Sequence, residues 1–257
     1  MEFRIVIPAR YASARLPGKP LRPLAGKPML EHVHARALES GAGEVVIATD
    51  DARIADAARG FGANVCMTRT EHQSGTDRLA EVVERLGWPH EAIVVNLQGD
   101  EPLMPPVLLR QVAEALSLHS QAQVATLCSP IHSSGEVFDP HCVKVVRDAQ
   151  GFALYFSRAP VPWHRDAFAQ STEALPEGDG IHFRHIGLYA YRAGYLAQFA
   201  RSEACLLEQS EALEQLRVLW FGGRIFVDLA CEVPAHGVDT EADLKRAEDQ
   251  LAAVGGR

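Results

Sequence analysis

Residues 3–30 read FRIVIPARYASARLPGKPLRPLAGKPML and combine a strand pattern with a cationic loop. The apolar run at residues 5–7 predicts a first β-strand. The segment contains six Lys or Arg residues and no Asp or Glu, although the chain has a formal net charge of −8. Ligands of open α/β sheets bind beyond the carboxyl ends of the strands, so a cationic loop at this position is suited to hold a polyanion. We therefore expect this loop to bind a nucleoside triphosphate.

The first half of the chain alternates short β-branched runs with helical patterns. This alternation predicts an α/β fold with a mostly parallel, three-layer, Rossmann-like sheet. The predicted strands are 5–7, 45–48, 64–67, 93–97 and 124–127, and the predicted helices are 28–40, 51–60, 76–86 and 105–118.

The alternation stops between about residues 132 and 200. Candidate strands at 143–146, 153–156 and 183–191, with an irregular stretch at 160–180, predict an inserted, more antiparallel region that covers a substrate or pairs two subunits. Helices at 207–220 and 242–254 follow, with a strand at 224–229 between them. Because no linker or repeat divides the sequence, we predict one domain over 1–257 with an inserted subdomain at about 132–200.

Composition narrows the class of partner. The acidic balance argues against nucleic acid, which needs a broad basic surface. No apolar run approaches the length that spans a bilayer, and no signal-peptide pattern is present. The five cysteines are scattered and lack CxxC spacing, so neither a disulfide framework nor a zinc site is expected. We therefore predict a cytoplasmic protein with small-molecule partners, without nucleic acid or membrane.

The cationic loop follows none of the common phosphate-binding motifs. GKP occurs at 18–20 and 26–28, so neither copy completes a P-loop, and no GxGxxG follows the first strand. The loop instead presents PAR-x4-R-x3-K, with Arg10, Arg15 and Lys19. Guanidinium groups grip phosphate oxygens bidentately. A solvated loop paired with neighbouring acids is the alternative, but the absence of local acids favours anion binding.

Several further segments carry a resemblance that runs nearly end to end and in register. The chain closely resembles the 3-deoxy-manno-octulosonate cytidylyltransferase (CMP-Kdo synthetase) family. The matching segments are PARYASARLPGKPL (8–21), HQSGTDRLAEV (72–82), NLQGDEPL (96–103), ALYFSRAPVPW (153–163), HIGLYAYR (185–192), EALEQLRVLW (211–220) and GVDTEADL (237–244).

The resemblance implies a transferase, a nucleotidyltransferase that moves CMP from CTP to the sugar acid Kdo and releases pyrophosphate for lipopolysaccharide biosynthesis. It also implies a magnesium cofactor, a homodimer and a Gram-negative bacterial cytoplasm. Lys19, Arg15 and Asp100 are then the expected catalytic residues, with Lys19 reaching the α-phosphate. The expected nucleotide-binding residues are Pro8, Ala9, Arg10, Arg15, Lys19, Ser74, Gly75, Thr76 and Arg78. Either Ser74 or Thr76 is alternatively a helix N-cap.

Two aspartates are the expected Mg²⁺ ligands by resemblance. Asp100 follows a buried strand in NLQGDEP, and Mg²⁺ prefers carboxylates together with phosphate oxygens. Asp239 precedes a helix whose capping signature is Thr240 with Asp243. The alternatives are a turn residue for Asp100 and helix-start electrostatics for Asp239.

Kdo has one carboxylate and many hydroxyls, so its site needs a cation and several hydrogen-bonding side chains. The resemblance assigns this role to Gln98, Arg158, His185, Tyr189, Glu211 and Gln215. Arg158 is alternatively a structural ion pair, and His185 a half-buried histidine. Glu211 and Gln215, four apart on the predicted helix, also suit a simple surface pair.

The expected reaction is in-line attack of the Kdo 2-hydroxyl on the α-phosphorus of CTP, and we assign no general base. A related sugar acid, such as 8-amino-Kdo or a nonulosonate, is the nearest alternative substrate. A nicotinamide-dependent oxidoreductase and a noncatalytic nucleotide-binding regulator are the alternatives from other classes. The missing GxGxxG argues against the oxidoreductase.

Overall fold

A mixed sheet forms the centre of the computed structural model, which describes residues 1–12, 16–72, 74–176 and 180–255. Within these ranges the strands are β1 (Arg4–Ala9), β2 (Pro23–Leu24), β3 (Lys27–Pro28), β4 (Glu44–Thr49), β5 (Asn64–Met67), β6 (Ile93–Asn96), β7 (Val124–Pro130), β8 (Lys144–Arg147), β9 (Ala153–Ser157), β10 (Phe183–Arg192) and β11 (Ile225–Leu229). The helices are α1 (Met29–Glu39), α2 (Ala52–Gly60), α3 (Gly75–Leu86), α4 (Pro106–Leu118), α5 (Ser134–Phe138), α6 (Arg165–Phe168), α7 (Ala193–Phe199), α8 (Leu206–Glu211), α9 (Leu216–Trp220) and α10 (Glu241–Gly255).

The main sheet has the strand order β11-β7-β10-β6-β1-β4-β5. β1 pairs in parallel with β4 and β6, β4 pairs in parallel with β5, and β11 pairs in parallel with β7. The predicted mostly parallel α/β sheet is therefore confirmed. Because β1, β4 and β6 run in one direction, the loops that follow them emerge at the same edge of the sheet.

Helices cover both faces of the sheet and give the predicted three layers. Ile5 and Ile7 of β1 pack in a core shared with α1, α2 and α4. Val6, between them, faces a second core shared with α3, α7 and α9. This alternation follows from the two-residue period of a strand, and it makes both faces of β1 apolar.

Strand β10 departs from the sequence interpretation. Residues 183–191 were expected in the inserted region, whereas β10 lies in the main sheet, antiparallel to both β6 and β7. With ten residues, β10 is long enough for its two ends to pair with different strands. The first part pairs with β7 and contacts β8, and the second part pairs with β6 and β7 after a bulge between Ile186 and Tyr189.

The single helix predicted at 207–220 is wrong, since the segment forms two short helices. Ala212 ends α8 with φ 49° and ψ 49°, a left-handed conformation that stops an α-helix. The turn lets Leu213 and Leu216 enter the second core. Glu211 and Gln215 consequently do not share one helix face.

The sequence interpretation missed several elements of the described chain. Helix α7, the short helices α5 and α6, and the small two-stranded sheet of β2 and β3 were not predicted. In the described ranges, no helix has both the length and the apolar character needed to cross a bilayer.

Candidate active site

A cavity of about 340 Å³ lies at the carboxyl ends of β1 and β6. Its wall combines the loop after β1, the loop after β6, the N-terminus of α3 and the segment before α10. Eight of the residues predicted from the sequence line it: Pro8, Ala9, Arg10, Lys19, Gly75, Gln98, Asp100 and Asp239. Arg15 lies outside the described residues.

Lys19 joins the two predicted metal ligands. Its Nζ donates hydrogen bonds to Asp100 Oδ2 at 2.7 Å, Asp239 Oδ1 at 2.9 Å and the Val238 carbonyl at 3.0 Å. Burial acts to lower the pKa of Lys19, but the two carboxylates outweigh it, and the pKa lies above its ordinary value. The ammonium group therefore stays protonated and holds together two aspartates from distant parts of the chain.

Backbone contacts fix the two aspartates. A Cβ at Gly99 would lie 2.9 Å from the Pro8 carbonyl, so only glycine allows the loop after β6 to approach β1 this closely. The Val238 N–H donates to the Asp100 carbonyl at 2.8 Å, which brings Asp239 beside it. Asp239 also donates its own N–H to Asp243 Oδ2 at 3.1 Å.

The capping signature predicted at the start of α10 is present. Thr240 donates its N–H to Asp243 Oδ2 at 2.8 Å, and Asp243 returns its N–H to Thr240 Oγ1 at 3.2 Å. This reciprocal pair holds the first turn of the helix. Asp239, immediately before it, keeps its carboxylate directed at Lys19.

A third carboxyl group, Glu101, lies beside the two aspartates. Burial raises the pKa of Glu101 to about 8, and the charges of Asp100 and Asp239 act in the same direction. The protonated form of Glu101 is therefore favoured near pH 7, and Asp100 and Asp239 are the two acidic side chains that pair with Lys19.

Two guanidinium groups lie on the side of the site next to α3. Arg78 is completely buried, its Nη1 donates to the Thr68 hydroxyl, and its Nη2 lies 3.4 Å from Asp50 Oδ2. Burial, and then the charge of Arg78, lower the pKa of Arg10. Two positive charges close together favour an anionic or hydrogen-bond-accepting ligand between them.

The N-terminus of α3 is capped as one alternative predicted. Ser74 accepts a hydrogen bond from the Asp77 N–H at 3.1 Å, and Asp77 Oδ2 accepts one from the Ser74 N–H at 3.2 Å. Gly75 packs against Pro8. Thr76 donates its hydroxyl to Glu214 Oε2 at 2.8 Å, which links α3 to the turn between α8 and α9.

Arg158 and Glu211 form hydrogen bonds that join the end of β9 to the end of α8. Arg158 donates through its side chain to the carbonyls of Glu211 at 2.6 Å and Pro140 at 2.9 Å. Glu211 accepts hydrogen bonds from the Ser157 hydroxyl at 2.7 Å and the Arg158 N–H at 2.8 Å. Both side chains therefore clamp the end of β9 in the described structure.

The other three predicted sugar-acid ligands lie near the second core. The rings of His185 and Tyr189 on β10 have centroids 5.3 Å apart and are tilted by 48°, and Tyr189 is opposite Asn96 of β6. Gln215 is buried at the start of α9.

Sequence reasoning missed two polar residues in this neighbourhood, Asn96 and Glu214. Asn96 Oδ1, Glu214 Oε1 and Gln215 Nε2 are buried without a hydrogen-bond partner in the described part of the chain. Leaving buried polar atoms unpaired is costly, so such atoms mark places where a ligand completes the hydrogen bonding. The signal for Asn96 was available, since a polar residue ends the otherwise apolar strand IVVN.

Comparisons with known proteins agree on one family. The sequence profile of the family described as Cytidylyltransferase matches residues 4–225. A protein of Thioalkalivibrio sulfidiphilus, named 3-deoxy-manno-octulosonate cytidylyltransferase, is 58% identical over 98% of this chain and 100% of its own. A protein of Pasteurella multocida with the same name is 54% identical over 97% of this chain and 98% of its own.

A solved structure is similar over nearly the whole fold. It is described as CMP:2-keto-3-deoxy-manno-octonic acid synthetase complexed with CTP, and it aligns with a TM-score of 0.88. The sequences are 41% identical, and the alignment covers 99% of this chain and 100% of that one.

The segment that leads into α3 is anchored by Glu81, a buried carboxylate on that helix. Glu81 accepts hydrogen bonds from the Arg69 N–H at 2.9 Å and from Arg85 Nε at 2.7 Å, and it contacts His72 Nε2. Burial acts to raise its pKa, but these partners lower the pKa from 4.5 to about 2. The ionised form is therefore favoured in the folded protein.

We predict that Glu81 makes the protein sensitive to acid. A carboxylate with a lowered pKa in the folded state contributes stability above its unfolded pKa, and this is lost as pH falls through the folded value. The free energy of unfolding should therefore decrease between pH 4.5 and pH 2, the two pKa values of Glu81. Urea unfolding at several pH values measures it. Glu81→Gln should flatten this part of the profile, whereas Glu84→Gln, an exposed change on the same helix, should not.

Proposed function

Because the chain belongs to the cytidylyltransferase family, we propose that it transfers CMP from CTP to 3-deoxy-D-manno-octulosonate, with release of pyrophosphate. One observation carries the proposal: a cavity at the carboxyl end of β1 gathers Arg10, Lys19, Asp100 and Asp239. These are the cations and carboxylates that a nucleotidyl transfer requires. The names of the relatives and the CTP-bound structure support the choice of both substrates.

The nucleotide is bound, in this proposal, across the loop after β1 and the N-terminus of α3. Main-chain groups of residues 7–9, with Ser74, Gly75, Thr76 and Arg78, contact the cytosine and ribose. The buried Arg78 supports this assignment, because its Nε has no hydrogen-bond partner among the described residues. Arg10, Arg15 and Lys19 hold the phosphates.

Asp100 and Asp239 are the proposed Mg²⁺ ligands. Both carboxylates lie within 3 Å of Lys19 Nζ, so their oxygen atoms are close enough to share one cation. Within the described ranges, no group of three His, Cys, Asp or Glu side chains is arranged to hold a metal. Two carboxylates completed by substrate phosphate oxygens are a typical Mg²⁺ environment. The bound ion would neutralise phosphate charge and orient the reacting oxygens.

The chemical step we propose is an in-line displacement at the α-phosphorus of CTP. The 2-hydroxyl oxygen of Kdo forms the new P–O bond while the bond to the bridging oxygen of pyrophosphate breaks. Lys19, protonated and held between two aspartates, supplies positive charge near the α-phosphate. Arg10 and Arg15 hold the leaving pyrophosphate. Preorganised cations of this kind stabilise charge that develops in the transition state.

The sugar acid is placed beside α3, β10 and α9. The buried unpartnered atoms of Asn96, Glu214 and Gln215 support this position, because they suit a ligand rich in hydroxyl groups. Gln98, His185 and Tyr189 are proposed to complete the site. Arg158 and Glu211 are proposed to shape its border by clamping the end of β9.

The biological setting we propose is the Gram-negative cytoplasm, where CMP-Kdo feeds lipopolysaccharide assembly. We also propose a homodimer. Its support is that three large apolar residues of the region at about 132–200 are exposed: Leu154 by 60%, Trp163 by 55% and Ile181 by 44%. A partner subunit would remove such apolar area from water.

A substrate panel tests the function. The protein is incubated with CTP, Mg²⁺ and, separately, Kdo, 8-amino-Kdo or a nonulosonate, and pyrophosphate release is measured. We expect release with Kdo at the highest kcat/KM. A higher kcat/KM with another sugar acid would show that this acid, and not Kdo, is the preferred substrate. CTP binding without pyrophosphate release from any acid would instead indicate a noncatalytic nucleotide-binding protein.

We predict that Lys19→Met lowers kcat strongly. Removing the ammonium group takes away charge stabilisation at the α-phosphate, and a loss of roughly a hundredfold or more is expected. Lys27→Met provides the control, because Lys27 is 59% exposed and pairs only locally with Glu31 at 2.8 Å. Steady-state pyrophosphate release measures both. Equal kcat values for the two variants would contradict the proposed role of Lys19.

We predict that Asp100→Asn and Asp239→Asn each raise the Mg²⁺ concentration for half-maximal activity at least about tenfold. An amide cannot supply the negative charge that Mg²⁺ prefers in its ligands. Asp56→Asn, at a position where the side chain is 78% exposed, should leave the Mg²⁺ titration unchanged. If the titration of Asp239→Asn coincides with that of the unmodified protein, Asp239 is not a metal ligand.

A further inference from the structure

The bulge in β10 is organised by one buried hydroxyl group. Thr126 of β7 is fully buried and lies opposite Tyr189, where the pairing of the two strands resumes. Its Oγ1 lies 3.0 Å from the Ile186 carbonyl oxygen, 2.8 Å from the Leu188 carbonyl oxygen and 3.0 Å from His185 Nε2. Three polar groups in the bulge or next to it thus lie within hydrogen-bond distance of one threonine side chain.

The chemistry of these groups determines the direction of each hydrogen bond. A threonine hydroxyl has one proton to donate and lone pairs with which to accept. The carbonyls of Ile186 and Leu188 can only accept, so they take the hydroxyl proton. Oγ1 must therefore accept from His185, whose proton lies on Nε2.

The other ring nitrogen of His185 is then an acceptor. Burial lowers the pKa of His185 to about 3, so the ring is neutral near pH 7 and carries a single N–H. Among the described residues, no protein group forms a hydrogen bond with Nδ1. His185 is one of the residues that line a cavity of about 550 Å³, together with Glu101 and Arg184. An unprotonated Nδ1 is suited to accept a hydrogen bond from a hydroxyl group and disfavours a carboxylate.

We propose that Thr126 is a positioning residue that fixes His185 in the Nε2–H tautomer, so that Nδ1 accepts a hydrogen bond from a sugar-acid hydroxyl. The identity of the ligand rests on the proposed function, whereas the tautomer does not. In this arrangement His185 recognises the polyol part of the substrate. The carboxylate must be bound by other groups.

The tautomer is tested on the free, full-length enzyme. Long-range ¹H–¹⁵N correlation spectra of the ¹⁵N-labelled protein at pH 7 distinguish protonated from unprotonated ring nitrogens. The His185 signals are identified by their loss in His185→Gln. We expect a protonated Nε2 and an unprotonated Nδ1. A protonated Nδ1 in the unmodified protein would overturn the proposal, whether or not any variant folds.

Two substitutions test the role of the hydroxyl. Thr126→Val keeps the branched shape but removes the hydroxyl, so the His185 spectrum should change toward a mixture of tautomers. If the Nε2–H tautomer falls to about half of the population, KM for Kdo should rise about twofold, with KM for CTP unchanged. Thr126→Ser restores the hydroxyl and should return both the spectrum and KM to the values of the unmodified protein.

The outcomes separate this proposal from the proposed function. An unchanged His185 spectrum and an unchanged KM for Kdo in Thr126→Val would show that Thr126 does not position the ring. A rise in KM for CTP equal to that for Kdo would indicate a general structural defect and would also count against the proposal. Absence of Kdo-dependent pyrophosphate release in the unmodified protein would contradict the function, while the spectrum would still decide the tautomer.

Discussion

The ion pairs of Lys19 with Asp100 and Asp239 are the interaction on which the site depends. They join the loop after β1, the loop after β6 and the segment before α10, three parts of the chain that are far apart in sequence. Separated from Lys19, the two carboxylates would repel each other in a partly buried place. One ammonium group therefore makes this arrangement of acids compatible with folding. It also places a cation beside them, as the proposed binding of nucleotide phosphates requires.

Much of the parallel half of the fold is predictable because local patterns and tertiary structure agree there. The apolar run in β1 and the capping pairs of Ser74 with Asp77 and Thr240 with Asp243 are local features, and the structure contains them all. The position of β10 is not predictable in this way. Its pairing with β6 and β7 depends on long-range contacts. Gly187 lies in the bulge and is a local signal for it, whereas the left-handed turn at Ala212 has no such signal.

The site residues likewise fall into those that local sequence features predict and those that depend on the three-dimensional structure. The residues of the cationic loop and Asp100 follow from charge and from position after a strand, and the structure brings Lys19, Asp100 and Asp239 together. The unpartnered buried atoms of Asn96 and Glu214 are visible only in the three-dimensional structure, although the polar residue that ends the strand IVVN was a sequence signal for Asn96. Conversely, Arg158 is an obvious cation in the sequence, yet backbone carbonyls occupy its guanidinium group.

The position of strand β10 is compatible with the proposed binding of two ligands, the nucleotide and the sugar acid, on one sheet. An antiparallel strand between β6 and β7 places Tyr189 beside Asn96 and Thr126 beside the bulge that carries His185. The parallel strands β1 and β6 end at the cavity lined by the cationic loop, and β10 lies next to β6 in the same sheet. A sugar acid bound along β10 would approach the nucleotide from the β6 side. The antiparallel strand thus links the proposed sugar-acid site to β6 through backbone pairing, which fixes relative position more firmly than loops would.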